Sequence, residues 1–305
     1  MLLSFIVPVY NNAAAFAQCR RSLLPLVESG IAEIVAVDDG SVAPLVPDGH
    51  GVRLLRTDHR GAAAARNAGI ETAKGEFVWF VDADDIVVMD GIECLIDDLR
   101  SMPEWVPMMH IGRMVIQSSP QEKPAAGVPD ASATLCCRPL SLVRPRSSIA
   151  DHTTNIVRRS WLMEHSELRY PEDMSILEDT VFALRVVESA GQCMCNDTYR
   201  FYCHRTFNQS TTAGAWSAER SGRFMGDICR FFVFLRSYAD RHSAFAAVGR
   251  FFERMRYVYL RVAMVKGCPR RDLDRLVSVV GRPSPCPMWF YLFVAFLCRT
   301  FRQKR

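Results

Sequence analysis

The chain has 305 residues, 49% hydrophobic and 23% charged, with 37 Lys and Arg against 33 Asp and Glu for a net charge of +4. Its 17 Gly and 16 Pro exclude a disordered or collagen-like chain and fit one or two globular domains. Mean hydropathy is high at +0.03, but no apolar run approaches the ~18 residues of a membrane-spanning helix, so a multi-span membrane protein is not expected.

Leu3 to Val9 is a short apolar run ended by Tyr10, Asn11 and Asn12, which predicts a buried strand. Ala13 to Val27 has helical composition, and Ile31 to Val37 reads as a second strand that stops at Asp38, Asp39, Gly40 and Ser41. Val52 to Arg56 is a third strand, Ala62 to Thr72 a helix, and Phe77 to Val81 a fourth strand running into Asp82, Ala83, Asp84 and Asp85. Strands alternating with helices predict a mostly parallel sheet covered on both faces. In such sheets ligands bind beyond the C-terminal strand ends, so Tyr10, Asp39, Asp82 and Asp84 are expected at one rim. Neither GxGxxG after the first strand nor GxxxxGK[ST] anywhere is present, which removes the main support for a dinucleotide or P-loop site. The first basic residue is Arg20, so the positive start of a signal peptide is missing and a cytoplasmic chain is expected.

Residues 117 to 148, rich in Pro, Ser and Ala and carrying Arg138, Arg144 and Arg146, read as a long loop or a weakly structured crossover. Glu178 and Asp179 open a later helix, where acidic residues also suit the helix dipole. Cys193, Cys195, Cys203 and His204 offer metal-type ligands without paired CxxC knuckles, and the eleven cysteines read as reduced thiols. From Gly222 to Lys266, Phe224, Ile228, Phe231 and Leu235, then Phe251, Met255, Val258 and Val262, recur at helical spacing as packing faces. Met288 to Leu297 is almost wholly apolar and is followed by Arg299, Arg302, Lys304 and Arg305. That composition suits a helix lying on an anionic membrane surface, or a homo-oligomer contact. Charge is uneven: residues 1 to 200 carry −9 and residues 201 to 305 carry +13, so the back part is expected to face something anionic. The aromatics there form helix faces and not stacking platforms, so no nucleic acid is expected.

The acidic turn carries the chemistry. Three carboxylates in four residues repel one another unless a cation joins them, and Mg²⁺ or Mn²⁺ takes one or two carboxylates while leaving positions for water and substrate phosphates. The bland reading of such a turn is a solvated cap for the next helix.

The strings SFIVPVYNN at Ser4 to Asn12, VDDGS at Val37 to Ser41, GAAAARNAGI at Gly61 to Ile70, FVWFVDADD at Phe77 to Asp85 and LEDTVFALR at Leu177 to Arg185 resemble the ordered signature of family 2 glycosyltransferases of the bacterial cell-surface polysaccharide type. The resemblance runs from about Leu2 to Ser210, with a YxHRxxxxS stretch from Tyr202. It implies a GT-A fold, an α/β sandwich with a mostly parallel Rossmann-like sheet, in residues 1–215, followed by a basic helical extension in 216–305. It implies a nucleotide-sugar donor, usually UDP-linked, a divalent metal, Mn²⁺ or Mg²⁺, and inversion at the anomeric carbon. By that pattern Asp39 meets the nucleobase, with the backbone around Pro8 and Tyr10. Asp82 meets ribose or metal, Asp84 the metal, Ala83 lies between them, and Arg66 and Asn67 lie beside the nucleotide. Asp179, with Glu178 as neighbour and fallback, is the expected base that takes the acceptor hydroxyl's proton.

The implied acceptor is a glycan or lipid-linked hydroxyl in polysaccharide biosynthesis, met by a cytoplasmic protein peripheral on the inner face of the cell membrane. Two features depart from the pattern: Val42 and Ala43 follow VDDGS where an acidic residue is usual, and His204 stands where relatives carry an aromatic. His204 is expected as a packed ring, with a diphosphate or metal contact as the alternative. A catalytically inactive nucleotide-sugar-binding scaffold is the competing function, and retention of Asp39, Asp82, Asp84 and Asp179 together argues against it. The sugar, acceptor and linkage lie in pocket shape and not in these motifs.

Overall fold

The structure, a computed structural model, describes residues 1–46, 51–122, 124, 133–136, 149–206, 218–244, 248–255, 259 and 270–280. The chain divides into two compact units. One consists of Met1–Leu142, Ser147–Asp173 and Glu178–Ser210, and the other of Val143–Arg146, Met174–Leu177 and Thr211–Arg305. The division does not fall at a single cut in the chain.

The first unit is an α/β layer structure. Its strands are β1 (Leu3–Val9), β2 (Ala32–Asp39), β3 (Val52–Thr57), β4 (Phe77–Phe80), β5 (Ile86–Val87), β6 (Met108–His110), β7 (Val115–Gln117), β8 (Thr134–Cys136), β9 (Asn155–Arg158), β10 (Cys193–Cys195) and β11 (Tyr202–Arg205). Its helices are α1 (Ala13–Glu28), α2 (Ala62–Thr72), α3 (Ile92–Ser101), α4 (Arg159–Glu164) and α5 (Glu178–Ala190). Eight strands form one sheet in the order β3-β2-β1-β4-β9-β6-β10-β8, and β5-β11-β7 form a second. The strands β3, β2, β1 and β4 are mutually parallel, whereas β9 runs antiparallel to both β4 and β6.

The expected strands and helices of the first 81 residues fall within two residues of those observed. Crossover helices return the chain to the same end of the sheet, as α1 does between β1 and β2 and α2 between β3 and β4, and so give parallel strands. β1 and β2 are buried nearly throughout, which requires helices on both faces of the sheet. α2 lies close against β1 because of Gly69, where an added Cβ would come within 2.3 Å of Ile6 Cγ2. The order turns at β1: β2 and β3 lie to one side and β4 to the other. The switch point where α/β sheets bind ligands is therefore the β1–β4 junction.

Within residues 117 to 148, Thr134–Cys136 forms β8 on the sheet edge, antiparallel to β10; a three-residue strand is too short to show periodicity. The metal-type ligands Cys193, Cys195, Cys203 and His204 are split between β10 and β11, which lie in different sheets. The cysteines among the described residues are free.

In the second unit, α6 (Ala218–Arg241) packs against the helix Arg270–Val280. Phe224, Ile228, Phe231 and Leu235 are all buried as the helical spacing predicts. Residues 248–255 are helical, with Phe251 buried and Phe252 edge-on to Phe232. Val258, Val262, Ser210, Arg138, Arg144, Arg146 and the whole segment from Met288 to Arg305 lie outside the described residues. Among the described residues no helix is long and apolar enough to cross a membrane.

Candidate active site

Parallel strands bring the C-terminal ends of β1, β2 and β4 to one edge, and the loops leaving them interlock. Pro8 lies just beyond the last β1–β4 pair, Ile6 with Phe80, where a missing N–H is tolerated. Asn11 donates its backbone N–H to Ser41 Oγ at 2.9 Å and accepts from Val42 N at 2.8 Å. Asp38 closes the loop after β2 by accepting from Ser41 N, Leu45 N and Arg56 Nη1. Burial opposes its ionisation, but these bonds hold the Asp38 carboxyl below its ordinary range. The loop that lacks the usual acidic residue after VDDGS is thus closed by Asp38 and Asn11.

Asp39 is buried and fully engaged: Oδ1 accepts from Arg60 N and Oδ2 from Gly61 N, both at 2.9 Å, with His59 Nδ1 also 2.9 Å from Oδ2. It thereby fixes the turn that leads into α2. The His59 ring stacks on Tyr10 at a centroid distance of 3.9 Å and 11°, and Tyr10 stays 46% exposed. An aromatic platform therefore sits over the Asp39 loop at the ends of β1 and β3, and nothing in the sequence motifs pointed to His59.

The acidic turn after β4 is held from several directions. Asp85 is buried and accepts from the Tyr202 hydroxyl at 2.7 Å, Arg205 N at 2.9 Å and His204 Nδ1 at 3.1 Å. The packed ring expected for His204 is therefore corrected: its side chain is 42% exposed. Its hydrogen bond to Asp85, acting against burial, raises the ring to about 9. Arg205 Nε donates to the Asp84 carbonyl at 2.6 Å. Ala83 is buried between the two outward carboxylates. Burial, then repulsion from Asp82 and Asp85, pushes the Asp84 carboxyl up to about 6.

Arg66 joins this turn to α5. Its buried guanidinium donates from Nη2 to Asp82 Oδ1 at 2.8 Å and from Nη1 to Glu178 Oε1, 112 positions along the chain from Arg66, at 2.9 Å. Burial works against the charge on Asp82, yet Arg66 and His152 outweigh it and hold that carboxyl well below its usual range. The next residue, Asn67, donates to the Tyr170 carbonyl and accepts from Tyr170 N, so it orders the strand of chain before α5. Asp179 is partly exposed, with Oδ1 accepting from Thr180 N at 2.7 Å. Burial and the neighbouring Glu178 raise its carboxyl, the direction a proton acceptor near neutral pH needs. Leu177, immediately before the acidic pair, has φ +65°. A branched residue is strained there by about 1–2 kcal/mol, and such strain collects at functional sites.

The cation fit follows from these contacts. Among the described residues no group of three or more His, Cys, Asp or Glu forms a ready metal cage. Asp85 is engaged by Tyr202, His204 and Arg205, and Asp82 and Asp84 are the carboxylates that would hold a cation. Two carboxylates suit a hard divalent ion that completes its shell with water and phosphates.

The profile of glycosyl transferase family 2 matches residues 4–134, the segment that carries β1, the Asp39 loop, α2 and the acidic turn. Residues 4–134 belong to that family. Over 108 residues the glycosyltransferase domain is 38% identical to the glycosyltransferase GlyG of Streptococcus pneumoniae, covering 32% of this chain and 35% of that protein. It is 26% identical over 216 residues to the succinoglycan biosynthesis protein ExoO of Rhizobium meliloti, covering 66% and 60%. The chain thus spans about a third of the length of GlyG and 60% of ExoO. The fold matches residues 1-349 of TarS from S. aureus, in a crystal structure with UDP-GlcNAc, at a TM-score of 0.56 and 18% identity, over 92% of this chain and 90% of that one. TarS itself is named a poly(ribitol-phosphate) beta-N-acetylglucosaminyltransferase. The glycosyltransferase fold is shared across the pair; at this identity the match speaks for the fold alone.

Proposed function

We propose that this chain moves a sugar from a nucleotide-sugar donor, UDP-linked, to a hydroxyl of a glycan or lipid-linked acceptor in polysaccharide biosynthesis, with inversion at the anomeric carbon. The observation that carries the reading is the Arg66 bridge, which sets the acidic turn of β4 and the acidic start of α5 in one site beside the sheet's switch point. The structure of TarS with UDP-GlcNAc, on the same fold, supports a UDP-sugar.

On this reading the base stacks at the Tyr10–His59 platform above the Asp39 loop and the backbone near Pro8, with Arg66 and Asn67 shaping the neighbouring wall. Asp82 and Asp84 would hold Mn²⁺ or Mg²⁺, and the ion would supply charge neutralisation for the departing diphosphate. Asp179 takes the proton of the acceptor hydroxyl as its oxygen attacks the anomeric carbon and the bond to the diphosphate breaks. Glu178, bound by Arg66, keeps Asp179 from a favourable lone charge and raises its affinity for the proton. One displacement with one base inverts the centre.

The test is calorimetric titration of the purified chain with UDP, with and without Mn²⁺, beside Asp84→Ala, followed by a panel of UDP-sugars. Metal-dependent UDP binding that Asp84→Ala loses is expected. A wild-type chain that binds no UDP under any metal condition overturns the donor assignment.

A further inference from the structure

The mechanism above leaves two buried polar side chains beside Asp82 without work. His152, in a 3₁₀ turn His152–Thr154 ahead of β9, is 2% exposed, as is Tyr170. The His152 ring lies parallel to Phe80 at 5.9 Å and 7°, and edge-on to Tyr170 at 5.7 Å. Tyr170 is in turn stacked on Phe182 of α5 at 4.0 Å. This cage fixes the plane of the imidazole. A phenyl ring would fill the same space without the cost of burying two polar nitrogens, so the nitrogens must be compensated.

Nδ1 lies 2.8 Å from the Tyr170 hydroxyl, and Nε2 lies 3.9 Å from Asp82 Oδ1. A carboxylate facing Nε2 requires a proton there. The Tyr170 hydroxyl, giving its single proton to Nδ1, selects that tautomer. At 3.9 Å the contact is longer than a hydrogen bond and within the range of an electrostatic pairing. Oδ1 also takes the Arg66 Nη2 bond. Among the described residues both holds on the Asp82 carboxylate therefore converge on Oδ1, and no hydrogen bond reaches Oδ2.

We propose that His152, oriented by Tyr170, is a positioning residue that locks the Asp82 carboxylate through Oδ1 and leaves Oδ2 for the donor. The inference rests on the donor reading given above. Partners that orient a ligating group typically change affinity by 10–100-fold, so His152→Phe should weaken UDP binding in Mn²⁺ about tenfold. His152→Gln, which can present an N–H at the same reach, should regain most of that loss, and Tyr170→Phe should fall between. The double variant His152→Phe/Tyr170→Phe should bind no more weakly than His152→Phe alone, because Tyr170 acts on Asp82 only through the His152 N–H, which the first change already removes.

Calorimetry on the four variants decides the matter, with circular dichroism to establish that each is folded. Wild-type affinity in His152→Phe, equal weakness of Gln and Phe, or additive losses in the double variant overturns the proposal in favour of simple packing. Should His152→Phe fail to fold, Tyr170→Phe, which keeps its ring, takes its place, and unchanged UDP binding there overturns the proposal. Failure of the wild-type chain to bind UDP is a different result: it removes the donor reading, and this inference with it.

Discussion

Arg66→Leu removes a guanidinium and leaves two carboxylates facing the space it filled. The Arg66–Glu178 arm is buried on both sides, with side-chain exposures of 7% and 10%, while Asp82 is 34% exposed. A charge-assisted hydrogen bond contributes about 1.5–3 kcal/mol when buried. Solvent screening reduces the Asp82 arm to about 1 kcal/mol. Breaking the Glu178 arm, with the lost bond and the stranded charge taken together, costs about 3 kcal/mol, and with the Asp82 arm the total loss is about 4 kcal/mol, within the 3–5 kcal/mol typical of a broken buried pair. That is a large share of the stability of an ordinary domain. Urea unfolding, followed by tryptophan fluorescence with the buried Trp79 on β4 as reporter, measures it. The double variant Arg66→Leu/Glu178→Gln should recover about half the loss, because the stranded charge is gone. A loss below about 1 kcal/mol, or no recovery in the double variant, refutes the account of Arg66 as the joint of the site.

Four further outcomes follow from the geometry. Because the Asp84 carboxyl is raised to about 6 and only its ionised form ligates a cation, Mn²⁺ affinity should climb roughly tenfold per pH unit below that value and level off above it; calorimetry between pH 5 and 8 showing a flat profile contradicts this. The sign for the cation-free fold is opposite: a raised carboxyl favours the protonated folded state, so stability declines as pH rises through about 6, and Asp84→Asn should lessen that decline in thermal melts, with the raised Asp179 carboxyl contributing to what remains. Asp179→Asn should keep UDP affinity while lowering kcat by about 10²–10⁴-fold; a parallel loss of UDP binding in calorimetry assigns Asp179 to the donor instead. Gly40→Ala should destabilise the fold by at least ~1 kcal/mol, since Gly40 has φ +72° and an added Cβ meets His59 N at 2.8 Å; an unchanged melting temperature refutes that close approach.

The first 85 residues were legible because each strand there is a continuous apolar run punctuated by a polar turn, and each helix has one clear composition. β5 to β11 escaped notice, being two to four residues long, too short for a period to register. Site chemistry divides in the same way. Asp39, Asp82, Asp84, Glu178 and Asp179 announce themselves by charge at element ends, and Arg66 by its motif. His152, Tyr170 and the orienting part of Tyr202 act through contacts such as Tyr202–Asp85, 117 residues apart, which no local pattern encodes. His204, expected as a packed ring in the place of an aromatic, instead meets Asp85 from β11, a contact between residues 119 apart.

α2 carries Arg66 and Asn67 on consecutive residues, one reaching Asp82 and Glu178 and the other the Tyr170 backbone, while Gly69 seats the same helix against Ile6. The two acidic clusters are therefore mounted on a single spar. A substitution that tilts this helix misaligns both clusters at once, so diversification that spares one cluster must avoid 62–72. An engineer seeking a new acceptor or a new sugar should accordingly vary the loops around it and leave this helix alone.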